Sequence, residues 1–470
     1  MRDCPTTDPL WTSDEIVAAT DGRFDGAAFQ ADGVAIDSRG LAPGDLFVAL
    51  AGKRDGRAFI PAALAAGAAG ALASEAVDQR CIVVGDTLEA LSRLGEAARR
   101  RAGRARRGAV TGSVGKTSVT QIVRAGLCRA GRGHGSVKSY NNHIGVPLTL
   151  ARMPRKTERA VFEIGMNHPG EIAPLSRMVR PHAVAVTNVE AVHVENFPDG
   201  EAGVARAKAE IFAGIDRGGV AVLNADNRWF DFLRGEARRA GAKPRGFGAA
   251  KGSDARLTRF SPAPGGASVE ARIDGAAVEF SIRHSAAHWG PMSLCALLML
   301  RALEVDLDTA LEALGAFEAL EGRGVERLIR APAGAFTLVD ESYNASPVSM
   351  VAALGALGAR PVRGRRIVAL TDMLELGADG PNRHAALLEP IETAGVDLVF
   401  CAGPLMKSLW GELAPARKGA WAETPESLAP ALANAVAPGD VVMVKGSRGS
   451  RPEALIEALA ALGTPEGEGG

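Results

Sequence analysis

At 470 residues the chain is too long for one ordinary core, and a usual domain size of roughly 100–200 residues predicts three domains. Hydrophobic residues make up 47% and charged residues 23%, the balance of a soluble globular protein. Lysine plus arginine equals aspartate plus glutamate at 54 each, so no global field draws the chain to nucleic acid or to an anionic membrane.

In chain order, the first residues carry Asp3, Asp8 and Asp14 without an apolar run, so they do not read as a signal peptide. Residues 37–52 read as a strand bracketed by turns. Residues 59–77 are mostly Ala and Gly, contain Pro61 and are interrupted by Glu75. A membrane helix needs about 20 strongly apolar residues, so this stretch reads as helix, turn and strand. A basic run follows, Arg99, Arg100, Arg101, Arg104, Arg106 and Arg107, with no interleaved aromatics. It predicts a solvated helix end leading into a linker.

Short β-branched runs then alternate with Ala/Leu/Arg-rich stretches, the signature of parallel α/β sheets. Strands are expected at 109–111, 160–163, 183–187, 220–223, 336–339, 367–370, 398–401 and 441–444. The apolar–polar alternation around Pro-Gly turns at 257–282 predicts an antiparallel ribbon inserted in the central domain. The Gly- and Glu-rich tail 464–470 reads as disordered. The expected organisation is α/β with domains at 1–86, 87–320 and 321–470. The central one is a P-loop-type parallel sheet and the last is Rossmann-like. Five cysteines, Cys4, Cys81, Cys128, Cys295 and Cys401, lack C-x-x-C spacing, so reduced, mostly buried thiols in a cytoplasmic protein are expected.

The strongest motif is Ala-Val-Thr-Gly-Ser-Val-Gly-Lys-Thr-Ser at 109–118. An apolar strand feeds a glycine-rich turn and then a helix. Gly112 and Gly115 let backbone N–H groups close on phosphate oxygens beside Ser113 and Ser118, and the helix N-terminus adds a favourable dipole. Lys116 is placed to reach the β- and γ-phosphates, and the Thr117 hydroxyl to bind Mg²⁺. Val110 stands where the longer spacing G-x-x-x-x-G-K-[ST] has its first glycine, so the loop is a shortened variant. Ligands of open α/β sheets lie beyond the carboxyl ends of the strands. Glu163, Asn188 with His193 shortly after, and Asn224 all occupy such positions, and a carboxylate there suits magnesium. Read alone, Lys208 is a solvated helix lysine.

Together these segments resemble the Mur ligase family over nearly the whole chain. Asp37-Ser38-Arg39 and residues 44–52 resemble its uridine-nucleotide-binding segment. Residues 141–147, beginning Asn141-Asn142, resemble the substrate-side segment, and Asn224 to Asn227 the adenine-side one. Met292 stands where the family usually has an asparagine that contacts the nucleotide. Arg323 and residues 340–347, with Asp340, Tyr343 and Asn344, match last-domain elements, as do residues 372–377, His384 and Lys445.

The resemblance implies an ATP- and Mg²⁺-dependent ligase of cell-wall synthesis. It would join D-alanyl-D-alanine to UDP-N-acetylmuramoyl-tripeptide through an acyl phosphate, as a cytoplasmic monomer without nucleic-acid or membrane partners. Lys116, Glu163, His193 and Lys208 are then the expected catalytic residues. Thr117, Glu163, His193 and a carbamylated Lys208 would hold metal, with Asn224, Arg323 and Asp340 toward the nucleotide. Ser38, Arg39, Asn141, Asn142, Tyr343, Asn344 and Lys445 would contact substrate. The alternatives are a sister ligase that adds a single diamino acid, a folylpolyglutamate synthase, or a phosphate-loop module without ligase chemistry.

Overall fold

The computed structural model describes residues 8–465, apart from residues 53, 138, 192, 193 and 264. All eight expected strands form, within three residues of their expected ends. Residues 59–77 contain the helix Ile60–Ala65 and the strand Gly70–Ala73, as their composition required. Among the described residues no helix is long and apolar enough to cross a membrane.

Three larger sheets carry the chain. Near the N-terminus, Gly33–Ala35, Asp45–Val48, Gly70–Ala73 and Cys81–Val83 pair in parallel in chain order. The central sheet has nine strands. Its parallel part sets Arg106–Thr111 between Arg159–Glu163 and Ala183–Val186, followed by Val220–Asn224 and Lys243–Gly248. The ribbon expected at 257–282 consists of Ala255–Ala263, Gly266–Ile273 and Ala276–Ile282. Ala255–Ala263 pairs in parallel with Lys243–Gly248, so the ribbon extends the edge of the central sheet.

Because side chains alternate across a strand, the central parallel strands feed two cores. Val110, Val161, Ala185 and Val222 pack with the helices Lys116–Arg129 and Trp289–Ala302. Ala109, Phe162, Val186 and Leu223 join the opposite core. That second core continues through Leu91, Leu94 and Ala98 of the helix Thr87–Arg101 to Val34, Leu46 and Leu72 of the N-terminal sheet. The third sheet places Val441–Lys445 between Gly334–Glu341 and Arg366–Thr371 and has cores of its own.

Two expectations are corrected. The basic run at 99–107 is not wholly solvated. The Arg101 guanidinium lies 3.6 Å over the Trp11 ring and donates to the Leu10 and Met153 carbonyls. Arg107 is buried and donates to the carbonyls of Val179 and Arg180, the end of the helix Ile172–Val179. A cation there satisfies the last carbonyls and complements the helix dipole. The tail is not disordered from its first residue, because Thr464–Pro465 pairs antiparallel with Val325–Ala331. Cys81, Cys295 and Cys401 are buried free thiols, as expected, and Cys128 is half-buried; Cys4 lies outside the described residues.

Candidate active site

The turn after Arg106–Thr111 is built on two glycines. Gly112 has φ +149° and Gly115 φ +82°, conformations that side-chain-bearing residues rarely adopt. A Cβ on Gly112 would overlap the Thr187 hydroxyl. Residues 187–190 clamp the turn. Thr187 Oγ1 donates to the Val114 carbonyl, Ser113 N–H donates to Asn188 O at 2.9 Å, and Ser113 Oγ accepts from Glu190 N–H at 3.0 Å. Gly115 then caps the helix Lys116–Arg129, which aims its unpaired N–H groups at the turn.

Lys116 Nζ donates to Gly112 O at 2.7 Å, folded onto its own loop. Burial holds this ammonium below its usual pKa; Glu163 opposes the shift and Arg323 adds to it. Glu163 is buried at the end of Arg159–Glu163. One carboxylate oxygen accepts from Asn141 Nδ2 at 2.7 Å, while the buried Oε2 has no partner among the described residues. A buried carboxylate oxygen without a partner is costly and calls for a cation or donor. Thr117 Oγ1 lies 2.9 Å from Ser139 Oγ and accepts from Arg323 Nη2 at 3.0 Å. Oxygen donors of this kind fit Mg²⁺.

These groups line a cavity of about 530 Å³ between the central and C-terminal sheets. The cavity gathers Ser113, Gly115, Lys116, Thr117 and Ser118 with Asn141, Glu163 and Asn224 from the central part. Arg323, Tyr343, Asn344 and Lys445 face them. Lys445 is buried, with Nζ 3.1 Å from Asn344 O and 3.3 Å from Glu341 Oε2. Met292 also lines the cavity, beside Gly115.

Other expected residues lie elsewhere. Asp340 is buried and does not line the cavity; its carboxylate accepts from Ser342 N–H at 3.1 Å and Ser342 Oγ at 2.6 Å. The neighbouring Glu341 faces the cavity in its place, because the parallel register sets Glu341 opposite Lys445. Asn142 accepts from Ile144 and Gly145 N–H groups at the start of the helix Gly145–Ala151 and does not line the cavity. Ser38 and Arg39 belong to a short turn of the N-terminal unit, where the exposed Arg39 pairs with Asp37, and neither lines this cavity. His193 lies outside the described residues.

Lys208, by contrast, is not solvated. It is buried on the helix Glu201–Ala209, and its amine is pushed well below the ordinary lysine value by burial and then by Lys116. Glu210 opposes the shift, but its carboxylate already accepts from Gly170, Ile172 and Ala173 N–H groups. Asn224 Nδ2 donates to Thr187 O at 3.2 Å, and Asn227 Nδ2 to Val189 O at 2.9 Å. That segment braces the clamp around the turn. Ser139 and Glu341 were not singled out from the sequence; Ser139 stands two residues before the Asn141-Asn142 pair, the one signal close to it.

Family models match three consecutive segments: the Mur ligase family catalytic domain over 30–102, the Mur ligase middle domain over 110–300, and the Mur ligase glutamate ligase domain over 326–448. The UDP-N-acetylmuramoyl-tripeptide–D-alanyl-D-alanine ligase of Escherichia coli K12 is 33% identical over 459 residues, covering 96% of this chain and 99% of that protein. The chain belongs to the Mur ligase family. Among solved structures, MurF from Acinetobacter baumannii superposes on this Mur ligase with a TM-score of 0.83 at 26% identity, covering 97% of this chain and 99% of that one. MurF from Thermotoga maritima in complex with ADP gives a TM-score of 0.75 at 25% identity, covering 92% and 97%.

Proposed function

We propose that the chain is the ATP- and magnesium-dependent ligase that adds D-alanyl-D-alanine to UDP-N-acetylmuramoyl-tripeptide in peptidoglycan precursor synthesis. One observation carries the reading. The loop bearing Lys116 and Thr117 faces the unpartnered oxygen of Glu163 on one side and Arg323 from the C-terminal unit on the other. The full-length likeness to the Escherichia coli ligase supplies the substrates.

In this reaction the γ-phosphoryl group of ATP passes to the peptide carboxylate, releasing ADP. The amine of D-alanyl-D-alanine then displaces phosphate from the acyl phosphate, leaving an amide and a proton. Phosphoryl transfer depends mainly on positioning and charge neutralisation. Lys116 exchanges the Gly112 carbonyl for phosphate oxygens, and the loop N–H groups of 112–117 cradle the rest. Glu163 Oε2 and Thr117 Oγ1 would hold Mg²⁺, together with His193 and Lys208. Magnesium bound there would supply charge that neutralises the transferring phosphoryl group.

Burial favours Lys208 as the neutral amine, the form that adds to CO₂; the resulting carbamate releases a proton and becomes an anionic oxygen ligand beside Lys116. Arg323 contributes positive charge at the transferring phosphate. Ser38 and Arg39 serve the uridine end, while Asn141, Tyr343, Asn344 and Lys445 border the peptide and the incoming amine. Asn142 acts through its helix cap, and Asp340 through the turn that carries Tyr343. We assign residues 1–86, 87–320 and 321–470 to the nucleotide-sugar, ATP and amino-donor units of a cytoplasmic monomer.

Phosphate release tests the assignment, measured with UDP-muramyl-tripeptide plus D-alanyl-D-alanine and in parallel with the dipeptide precursor plus a single diamino acid. Release only with the first pair is the expected result. Release with the second pair instead makes the chain the sister ligase, and release with neither removes the ligase reading.

A further inference from the structure

Arg323 reaches across the cavity on a long side chain, from a backbone whose N–H donates to Leu320 O at 2.9 Å. It lies between Gly322 at φ +73° and Gly324 at φ +86°, on the segment that enters the strand Val325–Ala331. A long side chain flanked by two glycines has many conformations to lose before its guanidinium stands over the phosphate loop. Yet it sits there, 3.0 Å from Thr117 Oγ1.

Tyr343 removes that freedom. Its ring lies under the guanidinium, with Arg323 Cζ 3.8 Å from the ring centroid. A flat cation stacked on an aromatic face is held both electrostatically and by contact. The ring is itself anchored to the arginine's own backbone. Tyr343 N–H donates to Gly322 O at 3.0 Å, and a Cβ on Gly322 would stand 2.9 Å from Tyr343 N, a closeness that only glycine allows. Gly324 N–H donates to Asp340 O at 2.8 Å, and the Asp340 carboxylate fixes the turn through Ser342. Residues 322–324 and 340–343 therefore form one braced unit, with the ring as its rail.

We infer that Tyr343 is a positioning residue for phosphoryl transfer, holding the Arg323 guanidinium flat above the phosphate loop. This role does not require the tyrosine to touch the peptide. It rests on the ligase reading above for the reaction, but not for nucleotide binding. Phosphate oxygens bound in the loop would stand beside the Arg323 guanidinium, which can reach them by a slide along the ring face. The rail keeps that move short.

The test uses the full chain, with calorimetric titration of magnesium plus a non-hydrolysable ATP analogue, followed by steady-state kinetics. Tyr343→Leu should weaken analogue binding and raise KM for ATP by about tenfold, a larger loss than any in KM for D-alanyl-D-alanine. Tyr343→Phe keeps the ring face and should restore analogue affinity to within about twofold of the parent. In an Arg323→Ala background Tyr343→Leu should add less than about twofold, because its partner is already gone.

A leucine effect undiminished in that background, or one that falls on D-alanyl-D-alanine instead, overturns the inference. So does a phenylalanine variant as weak as the leucine one. If Tyr343→Leu melts early, Arg323→Lys takes its place; it keeps charge without a flat stack, and an unchanged analogue affinity is then the overturning result. Loss of phosphate release in the parent, with the binding pattern intact, would remove the ligase reading and leave the positioning role standing.

Discussion

Gly112 is a position where a single methyl group should damage activity directly. Its φ of +149° disfavours any side chain, and a Cβ there would overlap the Thr187 hydroxyl that clamps the turn through the Val114 carbonyl. To clear the overlap, the loop or the clamp must shift by about 1 Å, and displacements of that size at a reacting centre cost on the order of 100-fold. Backbone strain adds about 1–3 kcal/mol, which lowers thermal stability without unfolding a protein of this size. Gly112→Ala should therefore lose about 100-fold in kcat/KM for ATP-dependent phosphate release while remaining folded by circular dichroism. Adding Thr187→Ala should recover part of the stability but little of the activity, since the clamp is lost with the hydroxyl. A Gly112→Ala enzyme within threefold of the parent would refute the claim that this turn is the phosphate cradle.

Glu163→Gln keeps an acceptor for Asn141 but replaces the unpartnered Oε2 charge, so turnover should fall by at least about 100-fold at saturating magnesium while the melting temperature holds or rises. Lys208→Met should abolish turnover in a folded protein. The parent stripped of CO₂ should lose activity and regain it with bicarbonate, which kinetics in degassed buffer will show. His284, stacked on Trp289 with centroids 3.7 Å apart, is pushed down to about 4 by burial and then by His288. The unfolded chain then binds the extra proton first, so His284 costs nothing above pH 6.5 and destabilises progressively as pH falls from 6.5 toward 4, by up to about 3 kcal/mol. Urea melts across that window should be visibly flatter for His284→Phe.

The phosphate loop was legible because its signal is local: an apolar strand, two glycines at fixed spacing and a helix start specify the turn without help from the rest of the chain. Glu163 was legible for a similar reason, since a carboxylate at the end of an apolar run must fall at a sheet's carboxyl edge. Choosing between Asp340 and Glu341 needed the strand register, and that register is set by pairing with residues 441–445, a hundred positions away. Ser139 carries no periodic signal and matters only because tertiary packing brings it to Thr117. Charge misled the reading of Arg101, Arg107 and Lys208. Composition marks such residues as solvated, whereas a nearby helix end, an indole ring or a packed interior can hold them inside.

The shared core around the helix Thr87–Arg101 also decides which parts of this enzyme can move alone. Leu91, Leu94 and Ala98 weld the first unit to the second, so those two should melt in one transition and resist being expressed separately. The third unit keeps its own interior and is reached through a glycine-jointed segment. Any opening of the cleft would therefore swing this unit against the other two, about the residues just before the braced 322–324 segment.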